Sequence, residues 1–219
     1  MENNHNNLSA SYNKVSKFKR QAILAMLANK KNGNILDIGC GPGVLGEIIK
    51  KETGAKVYGL DVSAIFIESA QKKLDKAFNI SAADDYDNWP EEIKTARFDY
   101  VLITDVLEHL ACPDKLLTNI KKIMNENTEA IITVPNILFW KNRLKILFGQ
   151  FNYTTEGLMD KTHLHFFTWR SLKKLLHESG FSIIKTIHHY PTRGTGLLGP
   201  FFPGFFSYKF IVKFKKYEK

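Results

Sequence analysis

Three glycines stand in the run Ile35-Leu36-Asp37-Ile38-Gly39-Cys40-Gly41-Pro42-Gly43, where a ligand can approach the backbone closely because side chains are missing. The spacing is not the dinucleotide fingerprint, which asks for Gly or Ala where Val44 stands. Nor is it a phosphate loop, which needs Gly-Lys-Ser/Thr. Asp61, 18 positions beyond Gly43, is an acid suited to accepting hydrogen bonds from a ribose diol. Asp105, Glu108 and His109 are spaced i, i+3, i+4, which puts three polar groups on one face if a helical turn forms there. The stretch DKTHLHFFTW adds Asp160, His163 and His165. A neutral imidazole near pH 7 serves as a general base or as a metal ligand, so His163 is expected in one of those two roles, with His165 as a structural partner.

These groups need strands that end in them. Asn34 to Ile38 is a short apolar run stopped by glycines, after which Val44, Leu45, Ile48 and Ile49 take up a helical period. The cycle repeats with Lys56 to Leu60 as strand and Ser63 to Leu74 as helix, Ser63 being an N-cap. A third strand is expected near Phe78 to Ala83, a fourth at Phe98 to Thr104 and a fifth at Ala130 to Val134. Pro113 opens the intervening helix, whose Leu116, Leu117, Ile120, Ile123 and Met124 share a face. Strands alternating with helices give an α/β, doubly wound, mostly parallel sheet with helices on both faces. After Pro135 the rhythm breaks. Ile137 to Phe148 reads as a basic aromatic helix and Gly149 to Phe167 has no period, so 137–167 is expected as an insertion over the active edge. Thr168 caps a further helix that Gly180 ends. Phe181 to His189 and Phe205 to Phe214 then alternate as strands, the second antiparallel.

A chain of 219 residues with 44% hydrophobic and 12% aromatic content builds one core, so 1–219 is expected as a single domain. Residues 1–13, rich in Asn, are expected to be disordered, and 14–33 to hold an N-terminal helix from Lys14 to Asn29. Cys40 and Cys112 have neither metal-type spacing nor the number for a disulfide framework. The start lacks the apolar core of a signal peptide, and prolines and glycines break Gly196 to Phe206, so a cytoplasmic location is expected. The net charge of +9 is uneven: Met1 to Leu110 carries 14 Lys/Arg against 15 Asp/Glu, the remainder 17 against 7. Without a dense basic run this reads as a solvated surface, and a nucleic-acid partner is not expected.

With Asp37-x-Gly-x-Gly-x-Gly, Asp61 at a strand end and FDYVLITDVLEHL as fourth strand, the chain resembles class I S-adenosylmethionine-dependent methyltransferases. The resemblance implies a Rossmann-like seven-stranded sheet and S-adenosylmethionine as cofactor. It implies that Gly39, Gly41 and Gly43 flank the methionine part, Asp61 holds the ribose hydroxyls, Val62 lines the adenine pocket, and Asp84 or its rival Asp85 binds the exocyclic amine. Thr104 would offer its carbonyl to the ammonium, and Asp37 would orient the turn. The stretch from Thr133 to Thr168 resembles a bacterial subgroup related to methionine-biosynthesis W-type proteins. Glu108, His109 and His163 also match small-RNA and quinone O-methyltransferases that bind a divalent ion through Glu and His. The alternative is that Glu108 and His109 cap a helix while His163 anchors the loop. No Asn/Asp-Pro-Pro-aromatic motif follows the fourth strand, which argues against base N-methylation. The expected reaction is methyl transfer to a hydroxyl of a small sugar, lipid-linked or quinone-like acceptor, with RNA 2′-hydroxyl methylation or a non-enzymatic cofactor-binding regulator as alternatives. Peripheral membrane contact is a lesser expectation, carried by the aromatic runs at Phe139 to Phe148 and Gly196 to Tyr208.

Overall fold

The computed structural model describes residues 15–27, 32–191 and 198–217. Among these, seven strands form one sheet: β1 (Asn34–Ile38), β2 (Lys56–Asp61), β3 (Lys76–Asn79), β4 (Tyr100–Thr104), β5 (Glu129–Pro135), β6 (Phe181–His189) and β7 (Lys209–Lys216). Their order is β3-β2-β1-β4-β5-β7-β6. The first five run parallel, and β7 lies antiparallel between β5 and β6. The chain steps outward from β1 through β2 to β3, then returns to the far side of β1 with β4. Strand order therefore reverses at the β1/β4 junction, where open parallel sheets form a crevice at their C-terminal ends.

Helices cover both faces, which explains why the central strands read as unbroken apolar runs. On one face α1 (Lys17–Leu27), α2 (Val44–Thr53) and α3 (Ala64–Ala70) pack on Ile35, Val57, Leu102 and Ile131. On the other, α4 (Glu91–Thr95), α5 (Pro113–Ile123) and α7 (Trp169–Glu178) pack on Leu36, Ile38, Val101 and Ile132. The helix signals work locally. Pro113 opens α5 without wasting an N–H, Thr168 and Ser171 form a reciprocal capping box on α7, and Gly180 ends that helix at φ +82°. Two further elements, α6 (Trp140–Leu147) and α8 (Pro203–Phe206), sit at the C-terminal end of β5, because Pro135 pairs with Lys209 and α8 leads directly into β7.

Several expected boundaries move. The third strand is Lys76–Asn79, not Phe78 to Ala83: Ala83 N–H donates to the Ser81 hydroxyl and Asp84 N–H to the Ser81 carbonyl, so the chain turns at Ser81. The helix capped by Ser63 ends at Ala70, since the chain must turn to enter β3 at Lys76. Residues 205–208 do not belong to the last strand. Asn136 Nδ2 donates to the carbonyls of Gly204 and Ser207, and Pro203 starts a helical turn, which delays pairing until Lys209. The helix after β5 starts at Trp140, because Ile137 N–H is taken by the Phe167 carbonyl and Leu138 N–H by the Asn136 side chain. The fourth strand starts at Tyr100 and the described part of the first helix at Lys17. The segments 1–13 and 28–31 and the start of the second aromatic run, residues 196 and 197, lie outside the described residues.

The two kinds of support differ in weight. Leu117→Ala, which empties space beneath fully buried α5 side chains, is expected to cost about 3 kcal/mol of unfolding free energy. Thr168→Ala, which removes one cap, is expected to cost about 1 kcal/mol. Urea midpoints at constant slope measure both.

Candidate active site

The glycine turn follows β1. The N–H groups of Gly39 and Cys40 both donate to the Leu60 carbonyl, at 2.7 and 3.0 Å, which binds the turn to the end of β2. Gly39, Gly41 and Gly43 have φ of +69°, +54° and +78°. At two of them a neighbour reinforces the requirement: a Cβ on Gly39 would lie 2.3 Å from Val106 Cγ2, and one on Gly43 would lie 3.0 Å from Ala70 Cα. Lys73 Nζ and the Ser69 hydroxyl donate to the Pro42 carbonyl. Asp61 is part of the turn's own framework, its Oδ2 accepting from Gly41 N–H at 2.8 Å and its Oδ1 from Ser63 N–H at 2.9 Å. Each oxygen keeps a further lone pair. Beside it Val62 is 71% exposed. Asp85 is drawn to Lys115 at 3.0 Å, whereas the exposed Asp84 forms no ion pair among the described residues and uses its carbonyl to accept from Asn119.

Asp37 lies under this turn on the α1–α3 face. It is buried, and neither carboxylate oxygen has a hydrogen-bond partner among the described residues. Burial pushes its carboxyl up to about 7, with Lys19 opposing and Asp61 adding to the rise. The expectation that it orients the turn finds no hydrogen bond behind it.

The tip of β4 is built differently from its expected helical face. Asp105 has φ +58°, and the helical turn is a 3₁₀ turn over Leu107–His109 only. Asp105 therefore leaves the face of Glu108 and His109. Its Oδ1 accepts from the Thr133 hydroxyl at 2.6 Å and Lys209 Nζ at 2.7 Å, and its Oδ2 from Lys19 Nζ at 3.0 Å. Burial opposes the charge, but the two ammonium groups overcome it and hold the carboxyl well below the usual carboxylate range. Lys19 and Lys209 come from opposite ends of the chain, and no local motif announced either of them.

Glu108 is buried behind this ion-paired cluster. Burial, and then the Asp105 charge, push its carboxyl up to about 8, and Oε2 has no partner among the described residues. Its carbonyl accepts from the N–H groups of Leu164 and His165, at 2.8 and 3.0 Å, and this pins the loop after α6 across the strand tip. That contact brings His163 to His109, ring centroids 4.8 Å apart. Ligating atoms of Glu108, His109 and His163 all lie within 4.8 Å of one another. His109 Nδ1 is 3.2 Å from the Thr162 carbonyl and His163 Nδ1 is 3.4 Å from the Leu158 carbonyl. A carbonyl only accepts, so His163 carries its proton on Nδ1 and keeps a lone pair on Nε2, whereas His109 Nδ1 also has the Thr162 hydroxyl at 3.1 Å. Burial, and next His109, lower the His163 pKa. His165 turns away to the Ala111 carbonyl at 3.1 Å, and Asp160 caps its own loop by accepting from the N–H and hydroxyl of Thr162.

A family model described as a methyltransferase domain matches residues 12–186. A ubiquinone biosynthesis O-methyltransferase of Rhodopseudomonas palustris is 32% identical over 178 residues, covering 78% of this chain and 65% of the relative. Ribosomal RNA small subunit methyltransferase C of Haemophilus influenzae is 44% identical over 55 residues, 25% of this chain and 17% of the relative. The chain thus spans less than two thirds of the length of these two relatives. Among solved structures, an S-adenosylmethionine-dependent methyltransferase from Archaeoglobus fulgidus superposes with a TM-score of 0.65 at 20% identity, covering 90% of this chain and 94% of that one. Its likeness is one of fold, and the sheet here is a seven-stranded, Rossmann-like arrangement consistent with that class. On the strength of the match over residues 12–186, the chain belongs to the methyltransferase-domain family, with the class I fold of S-adenosylmethionine-dependent enzymes.

Proposed function

We propose that this chain transfers the methyl group of S-adenosylmethionine to a hydroxyl of a small sugar, lipid-linked or quinone-like acceptor. The observation that carries the reading is the meeting of Glu108, His109 and His163 at the tip of β4, on the same sheet edge as the glycine turn. The cofactor supplies a methyl group already activated by a sulfonium. The protein therefore has to align the acceptor oxygen and receive its proton as the carbon–oxygen bond forms.

On the cofactor side, the spare lone pairs of Asp61 accept from the ribose hydroxyls, exposed Val62 offers an apolar face to adenine, and Asp84 takes the exocyclic amine. Gly39, Gly41 and Gly43 line the methionine part and the Thr104 carbonyl takes its ammonium. Several features of the chain fit that ligand: positive-φ glycines at the switch point, an apolar side chain standing open beside a strand-end acid, and a carboxylate, Asp37, buried without a partner. On the acceptor side, His163 Nε2 receives the hydroxyl proton, and its lowered pKa keeps the ring neutral at pH 7. His109 packs edge-on against it and fixes its place. A hydroxyl acceptor is favoured by the ubiquinone biosynthesis O-methyltransferase relative, whose alignment runs through the covering loop's half of the chain, whereas the ribosomal RNA relative aligns over 55 residues only.

A second reading rests on the unpartnered Glu108 Oε2. Together with His109 and His163 it forms a donor set for a divalent ion, which would hold the acceptor oxygen and lower its pKa. The carbonyls behind both imidazole Nδ1 atoms are the outer partners such ligands use.

Three measurements follow. Calorimetry with S-adenosylhomocysteine should show Asp61→Ala weakening binding at least tenfold, since one substitution removes ribose contacts and the tie to Gly41; unchanged affinity would remove the assigned site. With an identified acceptor, His163→Ala should lower turnover about a hundredfold or more with cofactor affinity nearly intact. The wild-type acid limb should fall below pH 6.5, because the His163 pKa is lowered from that value; chelator sensitivity would select the ion-bound version. The third concerns stability. Asp37 has its pKa raised in the folded state, so its stabilising contribution is present below about pH 4 and lost as pH rises through about 7. Asp37→Asn should therefore flatten the decline in stability between about pH 4 and about 7, and an unchanged pH dependence of the urea-unfolding free energy would exclude that burial.

A further inference from the structure

Helix α6 is amphipathic the wrong way round. Of its eight residues only Asn142 is buried, held by Nδ2 donating to the Ile137 carbonyl at 2.7 Å. Trp140, Leu144 and Leu147, at i, i+4 and i+7, form a ridge on the side away from Asn142. Leu147 and the following Phe148 are each 76% exposed. Lys141 and Lys145 flank the ridge on one side and Arg143 on the other, and all three are exposed. An isolated helix this short is marginal in water, and beyond Asn142 and the half-buried Trp140 this one leaves its side chains exposed.

The ridge continues across α8. The Arg143 guanidinium sits 5.1 Å from the centre of the Phe205 ring, and the neighbouring Phe201 and Phe202 are 76% and 61% exposed. From Phe139 to Tyr153 there is no Asp or Glu. The occupant is thus apolar at its centre and anionic around it. A second copy of this chain across a two-fold axis is disfavoured, because the same cations would face each other. A peptide groove is disfavoured too, because the surface is a ridge. Apolar side chains at the centre with long cations on both flanks suit the headgroup boundary of an anionic bilayer, where the stems lie along the apolar layer and the charges reach phosphate.

We propose that α6 and α8 form a docking surface that seats the protein on anionic phospholipid membrane, with the Glu108–His109–His163 edge turned toward the bilayer. Both elements follow or precede the strand ends that carry that edge. For its purpose the inference rests on the proposed acceptor side, since a surface-bound enzyme would meet an acceptor dissolved in the membrane. The docking itself is tested without turnover, so its failure and that of the methyl-transfer reading are separable.

The experiment is co-sedimentation of the full chain with vesicles of phosphatidylcholine, with and without about one third phosphatidylglycerol. Binding is expected only with the anionic lipid and should weaken as salt rises from about 0.05 to 0.5 M. Lys141→Ala with Lys145→Ala should reduce partitioning about tenfold or more. Leu147→Glu with Phe148→Ser should abolish it while S-adenosylhomocysteine affinity and unfolding midpoint stay unchanged, since both side chains lie in solvent. Wild-type protein left in the supernatant with anionic vesicles at low salt would overturn the proposal. So would vesicle binding that the Leu147/Phe148 variant retains. A concentration-dependent dimer in analytical ultracentrifugation that the same variant breaks, without vesicle binding, would assign the ridge to a second copy instead.

Discussion

The arrangement turns on one partly buried carboxylate. Asp105 gathers Lys19 from α1, Lys209 from β7 and Thr133 from β5 onto its two oxygens, so four segments meet at the point where β4 ends. A charge withdrawn from water is tolerated only when paired and hydrogen-bonded, and here the pairing is the connection between the first helix and the last strand. The residue's positive φ also redirects the chain. After it, Val106 comes against Gly39 and Glu108 enters the interior, so the glycine turn and the buried acid are both set by the same bend.

Electrostatics then divide the acids of this edge. Asp105, between two ammonium groups, stays ionised, whereas Glu108, close by but deprived of water and of a cation of its own, has its carboxyl pushed well above the usual carboxylate range. Asp37 lies at the boundary between these behaviours. Three carboxyls within one sheet edge thus offer three proton affinities, the kind of separation that allows one group to position and another to exchange protons.

Much of this was legible in the residues. The glycine turn, Asp61 and the strand–helix alternation are local patterns, and local backbone needs write themselves into sequence at Gly39, Ser63, Pro113 and Thr168. The grouping of Glu108, His109 and His163 was expected from the resemblance to ion-binding O-methyltransferases, and the fold brings their ligating atoms within 4.8 Å of one another. What stayed hidden is long-range. Lys19 and Lys209 are two lysines among many, and only folding brings them to Asp105. The helical face expected for Asp105, Glu108 and His109 failed because tertiary ion pairing outweighed local periodicity and drew Asp105 into a left-handed conformation. Asp61's bond to Gly41 likewise depends on how the turn folds back on β2.

The loop that carries His163 is fastened at its centre by two backbone N–H groups on a backbone carbonyl, that of Glu108. Such a fastening is blind to side-chain identity. Leu164, which donates one of the bonds, is itself 59% exposed. The backbone there keeps its place through exchanges at Leu164, whereas the stretches on either side are written into the sequence by the side chains of Asp160, Thr162 and His165.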